Sequence, residues 1–471
     1  MDAIEAARRA QTEWGMKTVR ERTRALRRLR RVVAARMDEV ARVISEDVGK
    51  PPMDALAGDV MVVLETLRYC ECEAARVLRG RRVGKPALLF SGARFSETHE
   101  PHGVVLVIAP WNYPLQLAMV PAVTALAAGN AVVMKCSERA PKTAKMIESL
   151  FQEAGFAEDL VQVSSGGAEV ATAMIAARPD FVFFTGSSAN GRRVALQAAE
   201  LLIPAVLELG GKDACVVFDS CDLNRTVEGV CYGAFSNAGQ VCVGTKRVYV
   251  QRGIWERFLP ALVARAQELR VGDDVSSDMG RVVFADVRER LAGQVDEAVE
   301  RGAVLHTAWD RSAAVVPPLV LTGVAEDARL MVEETFGPVV CVAAFEREED
   351  AVRMANGSAF ALSASVFTGD RAQGKRVAAK LRGGSCTVND AIRSVGNPYA
   401  AFGGNGQSGY GRYHGAAGLQ AFSRVKGLME VTRPKAKEVH WFPFEAKTYT
   451  ALRWLMRVRH AGGSMWRRVF Q

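Results

Sequence analysis

A strand, a turn of small residues and the beginning of a helix are predicted in succession by Phe181-Val-Phe-Phe-Thr-Gly-Ser-Ser-Ala-Asn-Gly191. The apolar, aromatic run at its beginning is typical of a buried strand. Gly and Ser then permit a tight turn before helical residues resume. A strand that leads directly into a helix is half of a βαβ unit, so this segment predicts a parallel sheet with helices on its faces.

The same alternation extends to both sides of this segment. Residues 3 to 48 predict helices, and Gly49-Lys-Pro-Pro52 interrupts that pattern. From residue 103 to residue 218 helical stretches alternate with strand-like runs, and a second alternating set continues to about residue 390. The strand-like runs of the first set are Val104 to Ile108, Ala131 to Met134, Leu160 to Val163, Phe181 to Phe184 and Ala214 to Phe218. This order predicts an α/β protein with doubly wound parallel sheets.

Composition bounds the class of protein. The chain has 471 residues, 49% hydrophobic and 24% charged, which is enough for two or three domains. No apolar run reaches the roughly 18 residues that a membrane-spanning helix needs, and no secretory signal is visible. Nine cysteines stand mostly singly in apolar surroundings. This pattern favours reduced thiols and a cytoplasmic location over a disulfide framework.

Positive charge is concentrated at the C-terminal end. Residues 432–471 contain nine Lys or Arg and two Glu, whereas the rest of the chain is close to neutral. A protein that binds nucleic acid generally would spread a basic face over its fold, so we expect no nucleic-acid partner. The six histidines are dispersed, and we expect no metal site.

A second segment, Phe235-Ser-Asn-Ala-Gly-Gln-Val-Cys242, predicts a nucleophile. Gly239 permits a tight turn, and a thiol is a better nucleophile than a hydroxyl near neutral pH when its surroundings favour the thiolate. One cysteine among nine is, taken alone, more often a buried structural residue. Two further segments shift that balance: Ala109-Pro-Trp-Asn-Tyr-Pro114 presents an amide after an apolar run, and Val206-Leu-Glu-Leu-Gly-Gly211 presents a carboxylate within one.

These segments, in this order, resemble the aldehyde dehydrogenase superfamily, and the resemblance covers about residues 7 to 430. It implies two doubly wound parallel-sheet domains and a β extension that pairs subunits. The implied boundaries are 1–81 with 104–207 for the NAD-binding domain, 208–388 for the catalytic domain, 82–103 with 389–431 for the oligomerisation hairpin and bridging segment, and 432–471 for a basic, aromatic C-terminal extension.

The resemblance assigns catalytic roles to Cys242, Asn112 and Glu208. Cys242 would add to the aldehyde carbonyl to form a thiohemiacetal, and the Asn112 amide with the Cys242 backbone N–H would stabilise the oxyanion. Hydride transfer to the cofactor would leave a thioester, which a water activated by Glu208 would cleave. Apolar neighbours would raise the pKa of Glu208 toward the working range. Relatives that pass the acyl group to coenzyme A commonly lack this glutamate, so Glu208 favours hydrolysis.

The resemblance also implies a cofactor site, in which helix-terminal N–H groups after Gly186 meet a pyrophosphate. Lys135 and Glu138 would hold the adenosine ribose. The Glu138 carboxylate favours NAD over NADP, although the nearby Lys135 leaves use of NADP open. Glu334 and Phe336 would lie on the nicotinamide side. The implied cofactor residues are Trp111, Lys135, Ser137, Glu138, Gly186, Ser187, Gly191, Leu209, Glu334 and Phe336.

The substrate and partners are less defined by the sequence. Tyr113 and Phe235 are candidates for the substrate wall. In the tail, one helical face carries apolar residues and the opposite face carries basic ones, which loosely resembles the extended C-termini of family members that act on fatty aldehydes. We therefore expect a hydrophobic aldehyde, medium- or long-chain or aromatic. The tail would contact a membrane peripherally, pack on a partner subunit or cap the substrate tunnel. We expect the protein to form a homodimer or homotetramer.

Other functions are weighed against this one. The nearest is a coenzyme A-acylating dehydrogenase, against which Glu208 counts. A thiol hydrolase would need a histidine beside Cys242, and no histidine lies near the motif segments. A non-catalytic, membrane-associated scaffold would be expected to lose its catalytic residues, whereas Cys242, Glu208 and Asn112 are all present.

Overall fold

A computed structural model of the chain describes residues 2–84, 90, 92–313, 315–438 and 440–460. These residues form two compact units. The first consists of the residues up to Arg79 together with His99–Val425, and the second consists of Gly80–Thr98 together with the residues after Val425.

Seventeen α-helices lie within the described residues. In chain order they are α1 (Asp2–Met16), α2 (Val19–Ala35), α3 (Met37–Val48), α4 (Pro52–Asp54), α5 (Met61–Val77), α6 (Gln116–Ala128), α7 (Pro141–Glu153), α8 (Ala168–Ala176), α9 (Ser188–Glu200), α10 (Leu223–Phe235), α11 (Arg252–Gln267), α12 (Ala285–Glu300), α13 (Arg329–Val332), α14 (Glu348–Asn356), α15 (Arg371–Ala378), α16 (Gly415–Ala421) and α17 (Ala446–His460).

The same residues contain eighteen strands. They are β1 (Arg81–Arg82), β2 (Ala93–Pro101), β3 (Val104–Ile108), β4 (Ala131–Ser137), β5 (Val161–Gly166), β6 (Phe181–Thr185), β7 (Ala205–Glu208), β8 (Asp213–Val217), β9 (Thr245–Gln251), β10 (Val304–Leu305), β11 (Leu319–Thr322), β12 (Val339–Phe345), β13 (Phe360–Ala361), β14 (Ser363–Phe367), β15 (Ser385–Val388), β16 (Asn405–Gly406), β17 (Gly409–Tyr410) and β18 (Ser423–Val431).

The first large sheet has six strands in the order β17-β7-β6-β3-β4-β5. All its neighbouring pairs are parallel except β17 with β7. Every residue of β3 and β6 is buried, as expected for parallel strands that are covered on both faces. The helix α6 is buried along its whole length because its residues are apolar all round.

The second large sheet has seven strands in the order β10-β11-β12-β9-β8-β14-β15, and only β10 is antiparallel to its neighbour. The chain passes from the first sheet to the second between Glu208, at the end of β7, and Asp213, at the beginning of β8. The five predicted strand runs all correspond to strands, and the prediction of an α/β fold with doubly wound parallel sheets is confirmed.

The second unit contains short β pairings and α17. Strand β1 pairs antiparallel with β2, with Arg81 opposite Glu97, in a three-stranded sheet that β18 completes. The helix α17 begins at Ala446 and ends at His460, and it buries no residue. Gly462 and Gly463, which follow His460 in the sequence and whose residue type favours the end of a helix, lie outside the described residues. No helix within the described ranges is long and apolar enough to cross a membrane.

Candidate active site

A cavity of about 400 Å³ opens in the first unit where the two large sheets approach each other. It lies at the carboxyl ends of β3, β4, β6 and β7, and at the amino ends of β8, β9 and β12. Most residues that the sequence predicted for the site line this cavity. They are Trp111, Asn112, Lys135, Ser137, Glu138, Gly186, Ser187, Glu208, Leu209, Cys242, Glu334 and Phe336.

The turn before Cys242 has an unusual backbone. Asn237, Ala238 and Gly239 all lie in the left-handed region, with φ angles of 49°, 53° and 66°. For Asn237 and Ala238 this conformation costs on the order of 1–2 kcal/mol each because Cβ crowds the following carbonyl. Gly239 is required for a further reason, since a Cβ there would lie 2.1 Å from the backbone oxygen of Gly337. We call residues 237–242 the nucleophile turn.

Side-chain hydrogen bonds hold the nucleophile turn in this conformation. The backbone N–H of Asn237 donates to the Asp54 carboxylate at 2.9 Å. The Asn237 amide donates to the backbone oxygen of Asn112 at 3.0 Å, and the Gln240 amide donates to the backbone oxygen of Asn237 at 3.0 Å. A strained backbone persists only where its surroundings over-determine it, and these bonds supply part of that constraint.

Hydrogen bonds hold both the side chain and the backbone of Asn112. Its side-chain nitrogen donates to the backbone oxygen of Gln240 at 2.9 Å, while its own backbone oxygen accepts from Lys50 Nζ at 2.7 Å. Lys50 and Asp59 form an ion pair of 2.9 Å in which neither side chain is exposed. Sequence reasoning treated Gly49-Lys-Pro-Pro52 only as a helix break and missed this lysine. No local signal reveals it, because Asp59 is nine residues away and Asn112 is 62 residues away in the sequence.

Cys242 is half-buried and lines the cavity. Burial raises the pKa of its thiol above the usual value, and nearby Glu334, Asp213 and Glu208 raise it further. The thiol is therefore neutral in this arrangement at physiological pH. Nucleophilic attack requires that its proton be removed or that positive charge approach it.

Glu208 is the last residue of β7 and is 4% exposed. Neither of its carboxylate oxygens has a hydrogen-bond partner among the described residues. Burial raises the pKa of Glu208 well above its usual value, and Arg412 opposes the shift. A carboxyl group in this setting is suited to general-base chemistry near neutral pH.

The turn between β6 and α9 has the geometry of an anion site. The Gly186 N–H donates to the backbone oxygen of Glu208 at 3.0 Å. Ser187 caps α9, and its hydroxyl accepts from the Asn190 N–H at 3.3 Å. Gly191 does not line the cavity; it lets α9 pack closely, since a Cβ there would lie 2.3 Å from Leu209 Cδ2. The N-terminus of α9 faces the cavity, where its partial positive charge favours a phosphate group.

The end of β4 supplies the next group of cavity residues. Lys135 Nζ donates to the backbone oxygen of Gly166 at 2.9 Å. The Ser137 hydroxyl accepts from the Arg139 N–H at 3.2 Å and lies 3.5 Å from the Glu138 carboxylate. Glu138 is exposed, so its carboxylate can accept hydrogen bonds from a ligand.

Glu334 and Phe336 close the opposite side of the cavity. Glu334 accepts a hydrogen bond from the Gly211 N–H, and burial raises its pKa to about 7. Phe336 has a left-handed φ of 52°, and its ring meets Trp111 edge-on at 5.6 Å between centroids. The same tryptophan contacts Phe284, which the sequence did not single out, at 4.7 Å.

Neither proposed substrate-wall residue lines this cavity. Phe235 is 1% exposed and belongs to the hydrophobic core of the seven-stranded sheet, so its position as a wall residue has to be corrected. It is the last residue of α10 and lies directly before the nucleophile turn. Tyr113 is half-buried beneath the Lys50 ammonium, which lies 3.9 Å from its ring centroid.

The fold and the cavity define an α/β protein in which a cysteine, a buried glutamate and a helix N-terminus suited to an anion lie at one site. The chain belongs to the aldehyde dehydrogenase family, whose family model matches residues 1–428. It is therefore an NAD(P)-dependent aldehyde dehydrogenase, in a family whose members act on aldehydes and are commonly oligomeric.

Named relatives span the chain. It is 39% identical to the 4,4'-diapolycopene aldehyde oxidase of Methylomonas sp, over 94% of this chain and 84% of the relative. It is 36% identical to betaine aldehyde dehydrogenase 2 of Rhizobium meliloti (strain 1021), over 90% and 88% of the two chains. A solved NAD⁺ complex of a point mutant of betaine aldehyde dehydrogenase from Staphylococcus aureus superimposes with a TM-score of 0.87, at 32% identity over 94% and 91%.

We predict that Gly239→Ala lowers aldehyde oxidation by roughly 100-fold, because displacing a reacting group by about 1 Å has an effect of that order. The added Cβ would force the nucleophile turn away from Gly337. Gly155→Ala is the matched control, since Gly155 also has a left-handed φ, 77°, but has no atom within 4 Å of an added Cβ. Turnover and thermal unfolding are measured for both variants; equal losses would contradict the steric account.

Proposed function

We propose that the protein oxidises a hydrophobic aldehyde to the carboxylic acid with NAD, through a covalent intermediate on Cys242. The observation that carries the proposal is that Cys242, Asn112 and Glu208 line one cavity with the phosphate-binding turn at the beginning of α9. A nucleophile, an oxyanion donor, a base and a cofactor groove are the four parts that this oxidation needs.

The residues of the cavity fit a dinucleotide. The N-terminus of α9 suits a pyrophosphate, the exposed Glu138 suits a ribose hydroxyl, and the Trp111 and Phe336 rings suit an aromatic ring. A carboxylate at Glu138 would repel a 2′-phosphate. The Lys135 ammonium, which could attract one, uses one of its three N–H donors on the backbone oxygen of Gly166. These contacts support NAD rather than NADP.

The chain's own groups would act in sequence. Cys242 Sγ, once its proton has passed to water, would bond to the aldehyde carbon, and the carbonyl oxygen would become an oxyanion near the Asn112 amide. The C–H bond of that carbon would then break, with bound NAD as the hydride acceptor, and the carbon would remain as a thioester to Cys242. Glu208 would take a proton from a water molecule that attacks the thioester. The C–S bond would break, the carboxylic acid would leave, and the proton held by Glu208 would pass to the Cys242 sulfur and regenerate the thiol.

Hydrolysis is favoured over acyl transfer to coenzyme A because of the Glu208 carboxylate. This carboxylate is buried and has no hydrogen-bond partner among the described residues. Burial raises its pKa, as suits a general base. A coenzyme A-acylating enzyme needs no such base. The presence of all three catalytic groups in one cavity also counts against a non-catalytic scaffold.

A hydrophobic substrate is supported by one relative and by the tail. The Methylomonas relative is named for the aldehyde of diapolycopene, a polyene hydrocarbon. The Rhizobium relative is named for betaine aldehyde, which is charged. The names of the two relatives therefore include one apolar and one charged substrate. The described part of the tail exposes large apolar residues, among them Trp441, Phe442, Phe444, Tyr449 and Trp454.

The first experiment follows NADH formation with purified protein and an aldehyde series: acetaldehyde, decanal, hexadecanal, benzaldehyde and betaine aldehyde. Activity is expected to rise with apolar chain length, to prefer NAD over NADP and to vanish in Cys242→Ala, because the thiol forms the covalent intermediate. Cys231→Ala, which removes another buried cysteine, is the control. Full activity of Cys242→Ala would refute the mechanism, and a preference for betaine aldehyde would refute the substrate class.

Glu208→Gln is expected to separate acylation from hydrolysis. The first turnover should still release about one NADH per site as a burst, and the steady-state rate should fall by roughly 100-fold or more because no base activates water. In the wild type, the hydrolytic rate should increase with pH through the raised pKa of Glu208, since only the carboxylate form accepts the proton. Rapid mixing and a pH series measure both. If turnover after the burst requires coenzyme A and does not proceed with water alone, the result would instead favour acyl transfer.

We also propose that the protein forms a homodimer or homotetramer in the cytoplasm and that its tail contacts an anionic membrane surface. Strand β18 exposes Val425, Leu428 and Met429, which suits burial against a second copy. The tail joins exposed aromatic side chains to an excess of basic residues, a combination that favours the interface of an anionic bilayer.

A flotation assay tests the tail. The full chain is expected to float with vesicles that contain phosphatidylglycerol, less with pure phosphatidylcholine, and less after Arg453→Glu with Arg457→Glu, because attraction to anionic lipid is lost. Arg24→Glu with Arg31→Glu makes the same charge change on exposed positions of α2 and is the control. No flotation of the wild type would leave packing on the partner subunit or over the tunnel as the role of the tail.

A further inference from the structure

Lys246 is a buried lysine that no step of the proposed reaction uses. It lies in β9, four residues after Cys242, and is 2% exposed. Its ammonium group donates to three backbone oxygens: Gly337 at 2.7 Å, Gly239 at 2.9 Å and Ala234 at 3.4 Å. An ammonium has three N–H donors, so all of them are used. Burying a charge is unfavourable unless it is compensated. Burial lowers the pKa of Lys246 to about 7, and the three backbone oxygens stabilise its charged form.

The three acceptors belong to two segments that both shape the cavity. Gly239 is the third left-handed residue of the nucleophile turn, and Ala234 lies in α10 just before that turn. Gly337 follows Phe336, which is itself left-handed and whose ring lines the cavity. Two strained backbone segments, one carrying the thiol and one carrying the nicotinamide-side residues, are thus joined at one nitrogen atom.

The Lys246 side chain lies directly against the nucleophile turn. A Cβ at position 239 would lie 2.7 Å from Lys246 Nζ, so the turn and the ammonium group are packed directly against each other. The neighbouring buried lysine, Lys212, differs in its contacts: its Nζ donates to the Thr335 hydroxyl and not to the nucleophile turn. Lys212 and Lys246 therefore have similar burial but different partners, which makes them a matched pair.

We propose that Lys246 is a positioning residue: its ammonium group fixes the Cys242 turn to the Phe336 segment, so that the thiol faces the cofactor side of the cavity. The role rests on the proposed function of Cys242 but concerns the placement of the thiol rather than its chemistry. Without the ammonium group, the strained turn loses a constraint that holds it against relaxation.

Alkylation of Cys242 by iodoacetamide reports the placement of the thiol directly. The rate is followed on the Cys242 peptide by mass spectrometry, with and without NAD, in wild type, Lys246→Met and Lys212→Met. Cys72 is exposed and serves as an internal reference within the same molecule. We expect Lys246→Met to change the Cys242 rate by at least about tenfold, while the Cys72 rate and the Kd for NAD stay within about threefold.

Lys212→Met should keep the Cys242 rate within about threefold of wild type. Lys246→Gln, which retains two N–H donors, should lie between wild type and Lys246→Met; it also provides a folded variant if methionine prevents folding. The proposal is overturned if Lys246→Met and Lys246→Gln alkylate like wild type, or if Lys212→Met changes the rate equally. Failure of the proposed function is read separately, from retained aldehyde oxidation by Cys242→Ala.

Discussion

The buried ion pair of Lys50 with Asp59 connects the N-terminal helices to the residues proposed to be catalytic. Asp59 accepts the N–H groups of Leu115 and Gln116, where α6 begins, and Lys50 donates to the backbone oxygen of Asn112. Breaking such a pair by removing one partner typically destabilises a protein by about 3–5 kcal/mol, because the other charge is left buried. The position of the Asn112 amide therefore depends on a pair formed by residues outside every recognised motif.

From Asn112 the constraint passes to the nucleophile turn. The Asn112 backbone oxygen also accepts a hydrogen bond from the Asn237 side-chain amide, and the Asn112 side-chain amide donates one to the backbone oxygen of Gln240. Asp54, four residues after Lys50, accepts a hydrogen bond from the Asn237 N–H. The proposed oxyanion donor, Asn112, and the turn that carries the proposed nucleophile are thus joined to each other and to the same N-terminal segment. Their relative geometry can be kept although three residues of the turn are in the left-handed region.

The sequence was most informative where its signal is local. Apolar runs such as Val104 to Ile108 and Phe181 to Phe184 predicted strands because parallel strands buried on both faces must be apolar throughout. The turn after β6 was predictable for a similar reason, since Gly and Ser between a strand and a helix leave few alternatives. The residues that line the cavity were identified through resemblance, and twelve of the fifteen named site residues line it.

What the sequence did not reveal depends on long-range packing. Lys50, Asp59 and Lys246 look like ordinary surface residues, because a charged side chain is buried only when distant backbone groups compensate it. Phe235 stands beside the nucleophile turn in sequence and was taken for a substrate contact. Its side chain instead faces the core, because it ends α10 on the buried side of that helix. Sequence proximity to a catalytic residue does not fix the direction of a side chain.

The acidic groups of the cavity disfavour ionisation of the Cys242 thiol. Burial raises the pKa of Cys242, Glu208 and Glu334, and each negative charge further disfavours ionisation of the thiol. The three groups are therefore unfavourable as anions at the same time. A thiolate at Cys242 forms most readily while Glu208 is protonated, whereas the proposed hydrolysis needs Glu208 as a carboxylate. Once Cys242 is bonded to carbon its charge is gone, and Glu208 can ionise without opposing it. In the proposed reaction, covalent capture removes the ionisable thiol, so the neighbouring carboxylates no longer oppose a charge at Cys242.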